Sequence, residues 1–171
     1  MLKNIFAVLA ASVVAVAPAL ATPNRTADED FTTGDLINVM QENGIMVSIN
    51  QNCEPDMLGA YLWAGMKRTM RLCPGDSVDP IDHATVRHET WHAIQHCVNT
   101  ARGTSTDTPV QTDLDELAKY VNQHLTVETV NYIKASYPAE DWLTEFEANL
   151  AENIFTAYEL KDIFLQACTD K

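Results

Sequence analysis

His88-Glu89-Thr90-Trp91-His92-Ala93-Ile94-Gln95-His96-Cys97 is the stretch around which this 171-residue chain is organised. Its first five residues read H-E-x-x-H. Two histidines four apart on a helix share one face and can grip a Zn²⁺ through imidazole nitrogens, while the glutamate between them can take a proton from an activated water. At i and i+4 the ring nitrogens converge, and Glu89, rotated about 100° from His88, stands beside the ion without ligating it. A catalytic zinc commonly has three protein ligands and one open position, so this helix needs a partner elsewhere in the chain.

The helix has a readable start. Asp79 can cap it and Pro80 is tolerated at its first position, which predicts a helix over about 80 to 99. On its wheel Val86, Thr90, Ala93, Ile94 and Cys97 lie opposite the two histidines, so one side packs while the other faces a cleft; Trp91 reads as a packing residue. His96 extends the histidine stripe, but His92 and His96 enclose no carboxylate, so that pair would bind metal without a base; His83 and His124 read as ordinary polar residues.

Upstream, apolar spacing predicts a helix over about 35 to 42 that stops at Asn43-Gly44, and a strand over 45 to 49. Residues 61 to 63 and 69 to 72 are two further strand candidates around Ala64-Gly65. Downstream, 101 to 109 is loop, 114 to 125 and 127 to 135 are helical, and a last helix starts near 139 to 141 and runs to about 168 with a break near Thr156. A short antiparallel strand region followed by helices implies an α+β domain, without a wound parallel sheet.

Residues 1 to 21 carry the pattern of a secretory signal peptide, with Lys3, an apolar run and Ala19-Leu20-Ala21 before a cleavage point after Ala21. Residues 22 to 34 read as a polar leader and 35 to 171 as one domain. The expectation is a secreted or periplasmic protein with no stable membrane anchor after cleavage. Four cysteines, Cys53, Cys73, Cys97 and Cys168, suggest two disulfides in an exported chain, and the favoured pairing is Cys53 with Cys73 and Cys97 with Cys168. A net charge of −13 argues against nucleic acid and anionic membrane as partners.

Trp142-Leu143-Thr144-Glu145-Phe146-Glu147-Ala148-Asn149 offers the missing ligand. HETWH followed by this E-F-E-A-N resembles the gluzincin zinc metallopeptidases, whose thermolysin-like members bind zinc with the two motif histidines and a glutamate on a later helix. Carried over by position, the resemblance makes Glu145 the third ligand and Asn149 the residue that bonds the far nitrogen of a zinc-binding histidine. A wheel favours Glu145 over the alternative ligand Glu147: Glu145, Asn149 and Glu152 form a polar stripe, whereas Glu147 borders the apolar side of Leu143, Phe146, Leu150, Ile154 and Ala157. Asn149 is neutral where aspartate is common in the family, and the chain has little room for the C-terminal subdomain of larger members, so it looks closer to minimal gluzincins.

The resulting expectation is an exported zinc-dependent endopeptidase in which Glu89 is the general base and a peptide or protein is the substrate. The strand ending at Leu72 is the expected edge for an extended peptide, and Tyr158, Tyr137, His124 and His96 are all open as donors to the developing oxyanion. A second reading is a secreted, inactive zinc-binding or inhibitory module on the same scaffold. A third is a disulfide-stapled helical interaction domain with incidental histidines.

Overall fold

A computed structural model of the chain describes residues 31–49, 53, 57–73, 83–106 and 108–169. The expected signal peptide and most of the expected leader lie outside the described residues, as do Asp79 and Pro80. Thr32 begins the first helix through a capping box: its hydroxyl accepts from the Asp35 N–H at 3.2 Å, and the Asp35 carboxylate accepts from the Thr32 N–H at 2.8 Å. Helix α1 therefore spans Thr33–Glu42, and the fold takes in residues assigned above to the leader. Asn43 and Gly44 stop it, the glycine at φ 82°.

Three strands follow, β1 (Ile45–Ile49), β2 (Gly59–Ala64) and β3 (Lys67–Leu72), in the sheet order β1-β3-β2. Gly65, at φ 59°, lies in the tight turn between β2 and β3, which pair antiparallel from Gly59↔Leu72 to Ala64↔Lys67. The β1–β3 pair is parallel, in the register Ile45↔Arg68 to Ile49↔Leu72, which corrects the expectation of an all-antiparallel region. The reason is topological. The β2–β3 hairpin reverses the chain, so β3 runs in the direction of β1 and can receive it on its free side. Among the described residues β3 is consequently central, and β2 is an edge.

Helix α2 (His83–Arg102) is the longest described element, about 30 Å at 1.5 Å per residue. It runs three residues past the expected end, and Gly103 at φ 68° follows its last turn. The five residues placed opposite the histidines, Val86, Thr90, Ala93, Ile94 and Cys97, are all buried. Helix α1, strands β2 and β3 and two later helices, over Trp142–Ile154 and Ala157–Thr169, pack around α2.

Helices α3 (Leu114–His124) and α4 (Val127–Ser136) are capped by Asp113 and Thr126. Their apolar faces meet that of α5 (Trp142–Ile154) in a second core of Leu117, Val121, Ile133, Phe146 and Leu150. Leu143, expected in that packed face, is 39% exposed, because it lies toward the solvent edge of the first turn of α5. The break near Thr156 is present. Thr156 and Glu159 exchange bonds at 2.8 and 3.2 Å and so start α6 (Ala157–Thr169) afresh.

Both expected disulfides are present. Cys53–Cys73 closes a sequence separation of 20 residues, and Cys97–Cys168 one of 71, fastening the end of α2 to the end of α6. Two disulfides suit an oxidising, extracellular environment. No described helix is long and apolar enough to cross a membrane. In a chain-entropy account the longer bridge restrains the unfolded chain by about 4 kcal/mol and the shorter by about 3 kcal/mol. Replacing Cys97 and Cys168 together by alanine should lower the urea midpoint more than replacing Cys53 and Cys73; equal or reversed shifts would contradict that account.

Candidate metal centre

His88 and His92 lie one turn apart on α2 with their rings 4.8 Å between centroids, and Glu145 comes from the first turn of α5. Packing of α2 against α5 brings the three together. His88 Nε2 and His92 Nε2 are 3.1 Å apart, His88 Nε2 and Glu145 Oε2 3.3 Å, and His92 Nε2 and Glu145 Oε1 3.4 Å. Tetrahedral bonds of 2.0–2.1 Å to a common ion subtend ligand separations of about 3.3 Å. The donor set therefore has the size of a small divalent cation. Among the described residues this His88, His92 and Glu145 group can hold a metal ion.

The chemistry of the donors agrees. Glu145 Oε2 is buried and lies 3.3 Å from His88 Nε2 without a well-formed hydrogen bond, and a cation between the two atoms would satisfy both. The outer nitrogens of both imidazoles are bonded to acceptors. His88 Nδ1 meets Glu152 Oε2 at 3.1 Å, and His92 Nδ1 meets Gln95 Oε1 at 2.7 Å. Such partners orient ligating imidazoles and turn their other nitrogen toward the ion.

Here the residue-by-residue expectation needs correction. Asn149 donates through Nδ2 to the carbonyl of Glu145 at 3.0 Å, inside its own helix, and Glu152 is the residue bonded to the far nitrogen of His88. One more turn of α5 carries Glu152 to that nitrogen, and the Arg87 side chain holds the Glu152 carbonyl at 2.9 Å. Glu147, the alternative ligand, points away from the histidines. Its carboxylate accepts from Trp91 Nε1, Gln95 Nε2 and the N–H groups of Val110 and Gln111, at 3.1, 2.9, 2.8 and 2.7 Å. Glu152 belonged to the polar stripe read from the wheel; Gln95, one turn beyond His92, was readable only as a same-face neighbour.

Glu89 sits beside the cluster, 5% exposed. Burial raises its carboxyl above the ordinary range, against the lowering pull of His92, His88 and the Tyr61 N–H, and its Oε2 has no hydrogen-bond partner among the described residues. Gly59 makes this approach possible. A Cβ there would stand 2.5 Å from Thr85 Cγ2 and 2.9 Å from Glu89 Oε1, so only glycine lets β2 lie this close to α2.

These residues line a cleft of about 680 Å³, with Gly59, Ala60, Tyr61 and Trp63 on one wall and Tyr132 and Tyr137 on another. The wall is β2, the sheet edge. The strand ending at Leu72, expected in that role, is flanked on both sides. Of the four proposed oxyanion donors, Tyr137 lines the cleft: burial, then the Glu145 charge, pushes its hydroxyl well above the usual phenol range. Tyr158 packs edge-on against Phe31, His124 stacks on Tyr120, and His96 bonds the Tyr61 hydroxyl at 3.1 Å. His83 is bonded to Thr33.

Comparison with protein-family models, curated proteins and solved structures finds no match for this chain.

Protons compete for the same three groups. Burial pushes the His88 imidazole down, but its bonds to Glu145 and Glu152 and the Glu89 charge prevail, and its pKa is raised from 6.5 to about 10. Glu145, pushed up by burial, is brought down from 4.5 to about 2 by the two histidines. His88, raised in the fold, stabilises fully below 6.5 and loses that contribution as pH climbs through about 10; Glu145, lowered in the fold, stabilises fully above 4.5 and loses it as pH falls through about 2. Chelator-treated protein should thus show its highest melting temperature between pH 4.5 and 6.5. Added Zn²⁺ should move the maximum to higher pH, because metal must displace protons. A pH profile that is the same with chelator and with zinc would contradict the assignment.

Proposed function

We propose that the chain is an exported zinc-dependent endopeptidase, with His88, His92 and Glu145 as the residues that would hold zinc. The observation that carries this reading is the approach of a buried carboxylate and two partly buried imidazoles to one centre, with Glu89 beside them at the wall of an open cleft. The resemblance of HETWH and the later E-F-E-A-N to gluzincins supports it, as do the two disulfides. Zinc in such a site supplies Lewis acidity, which brings the pKa of a water toward about 7 and polarises a carbonyl.

The chain's own residues do the rest. Glu89 takes a proton from the water whose oxygen attacks the peptide carbonyl carbon, then delivers a proton to the nitrogen as the C–N bond breaks. Its raised pKa suits both halves of that transfer. The Tyr137 hydroxyl, kept protonated by burial beside Glu145, donates toward the oxygen that gains charge. The side of β2 that no described strand occupies offers main-chain donors and acceptors to an extended peptide, with little demand on its sequence. The acidic balance of the chain argues against nucleic acid as substrate.

An inactive zinc-binding or inhibitory module would need the three ligands and neither Glu89 nor the close approach of Gly59. Glu89→Gln should retain zinc and lose at least about 100-fold in hydrolysis of casein or a peptide library, the usual contribution of a general base. Wild-type protein that binds zinc and shows no chelator-sensitive cleavage would establish the module instead. Gly59→Ala, whose methyl group would press on Glu89, should lower kcat with zinc content unchanged; unaltered kcat would remove β2 from the catalytic arrangement.

A further inference from the structure

The buried polar groups behind His92 form a chain of hydrogen bonds whose directions follow from what each group can do. Glu147 Oε2 receives Trp91 Nε1, the Val110 N–H and Gln95 Nε2, and Oε1 receives the Gln111 N–H. Indole and main-chain N–H groups only donate, so the Glu147 oxygens accept. The Thr144 carbonyl, 3.1 Å from Gln95 Nε2, can also only accept. Two acceptors therefore face the same end of the Gln95 side chain, and that end is its NH₂. The other end is the amide oxygen, 2.7 Å from His92 Nδ1. A neutral imidazole facing an acceptor must carry its proton on that nitrogen, which leaves the Nε2 lone pair toward His88 and Glu145.

We propose that Glu147 and Gln95 are positioning residues, a two-step relay that holds the His92 proton on Nδ1 and so presents Nε2 to the metal. Glu147 was the rival to Glu145 as a ligand; it serves the centre from behind. The relay also reaches out of the helices. Through Val110 and Gln111, Glu147 pins the segment that leads into α3, and Gln95 is 2% exposed, so water has little access with which to reorient its amide. His88 is held differently, by the Glu152 carboxylate, whose side chain is 20% exposed. The two imidazoles thus have unlike supports, one a buried amide, the other a partly exposed carboxylate.

This inference rests on His92 being a metal ligand, and not on peptide hydrolysis. The test is a long-range ¹⁵N–¹H spectrum of the histidine rings, with and without Zn²⁺, beside zinc affinity. In the wild type His92 should show a slowly exchanging proton on Nδ1 in both forms. Gln95→Met, which keeps the volume and removes both bonds, should lose that protected signal, leave the His88 ring unchanged and weaken zinc binding about 10- to 100-fold. Glu147→Met, which removes the carboxylate acceptor and leaves the Gln95 NH₂ the Thr144 carbonyl alone, should weaken the same protected signal. A His92 ring with no proton on Nδ1 in the zinc-free wild type would overturn the proposal even if neither variant folds. So would folded Gln95→Met protein with an unchanged His92 signal and zinc affinity within twofold of wild type. Neither readout depends on cleavage, so a zinc-loaded protein that hydrolyses nothing would count against the peptidase reading alone.

Discussion

Three lone-pair groups held within 3.4 Å of one another in a buried place repel unless a cation or a proton stands among them, and this constraint governs the rest of the fold. Two imidazole nitrogens contributed by one helix can be placed by local geometry alone. The third group cannot. Glu145 must be brought in by tertiary structure, and the elements that do so are the packing of α2 on α5, the apolar core beneath α3, α4 and α5, and the hub at Glu147. The Cys97–Cys168 bridge fastens α2 from its other end.

Four glutamates near this centre have four different tasks, and surroundings assign them. Glu145, between two histidines, is held ionised at low pH; Glu89, buried with one oxygen unpartnered among the described residues, is pushed the other way. Glu152 keeps an oxygen for the outer nitrogen of His88. In Glu147 burial raises the carboxyl, and bonds from Gln95, Gln111, Val110 and Trp91 pull against it. In the proposed reading the same side-chain chemistry thus serves as ligand, base, orienting acceptor and structural anchor. Charge and donors within about 4–6 Å decide which.

Much of this was legible from residue spacing, because the determinants are local. The i, i+4 histidines, the wheel that separates Glu145 from Glu147, the stop at Asn43-Gly44 and the break at Thr156 all depend on positions within one or two turns. What was not legible depends on how distant segments meet. The parallel pairing of β1 with β3 follows from the path through the hairpin, and the edge role of β2 follows from that pairing. Whether Asn149 or Glu152 reaches His88 turns on the rotation of α5 about its axis, which the motif does not specify. Gln95 carried a faint signal as a polar residue on the histidine side of α2. Its amide orientation became readable only with Thr144 and Glu147 placed around it.

The central claim is that one ion binds where these three donors converge. A crystal of the zinc-soaked protein, measured on both sides of the zinc absorption edge, tests it most directly. The account predicts one strong anomalous peak within about 2.0–2.2 Å of His88 Nε2, His92 Nε2 and a Glu145 oxygen. A peak elsewhere, or a fully soaked crystal with none at these residues, would contradict it.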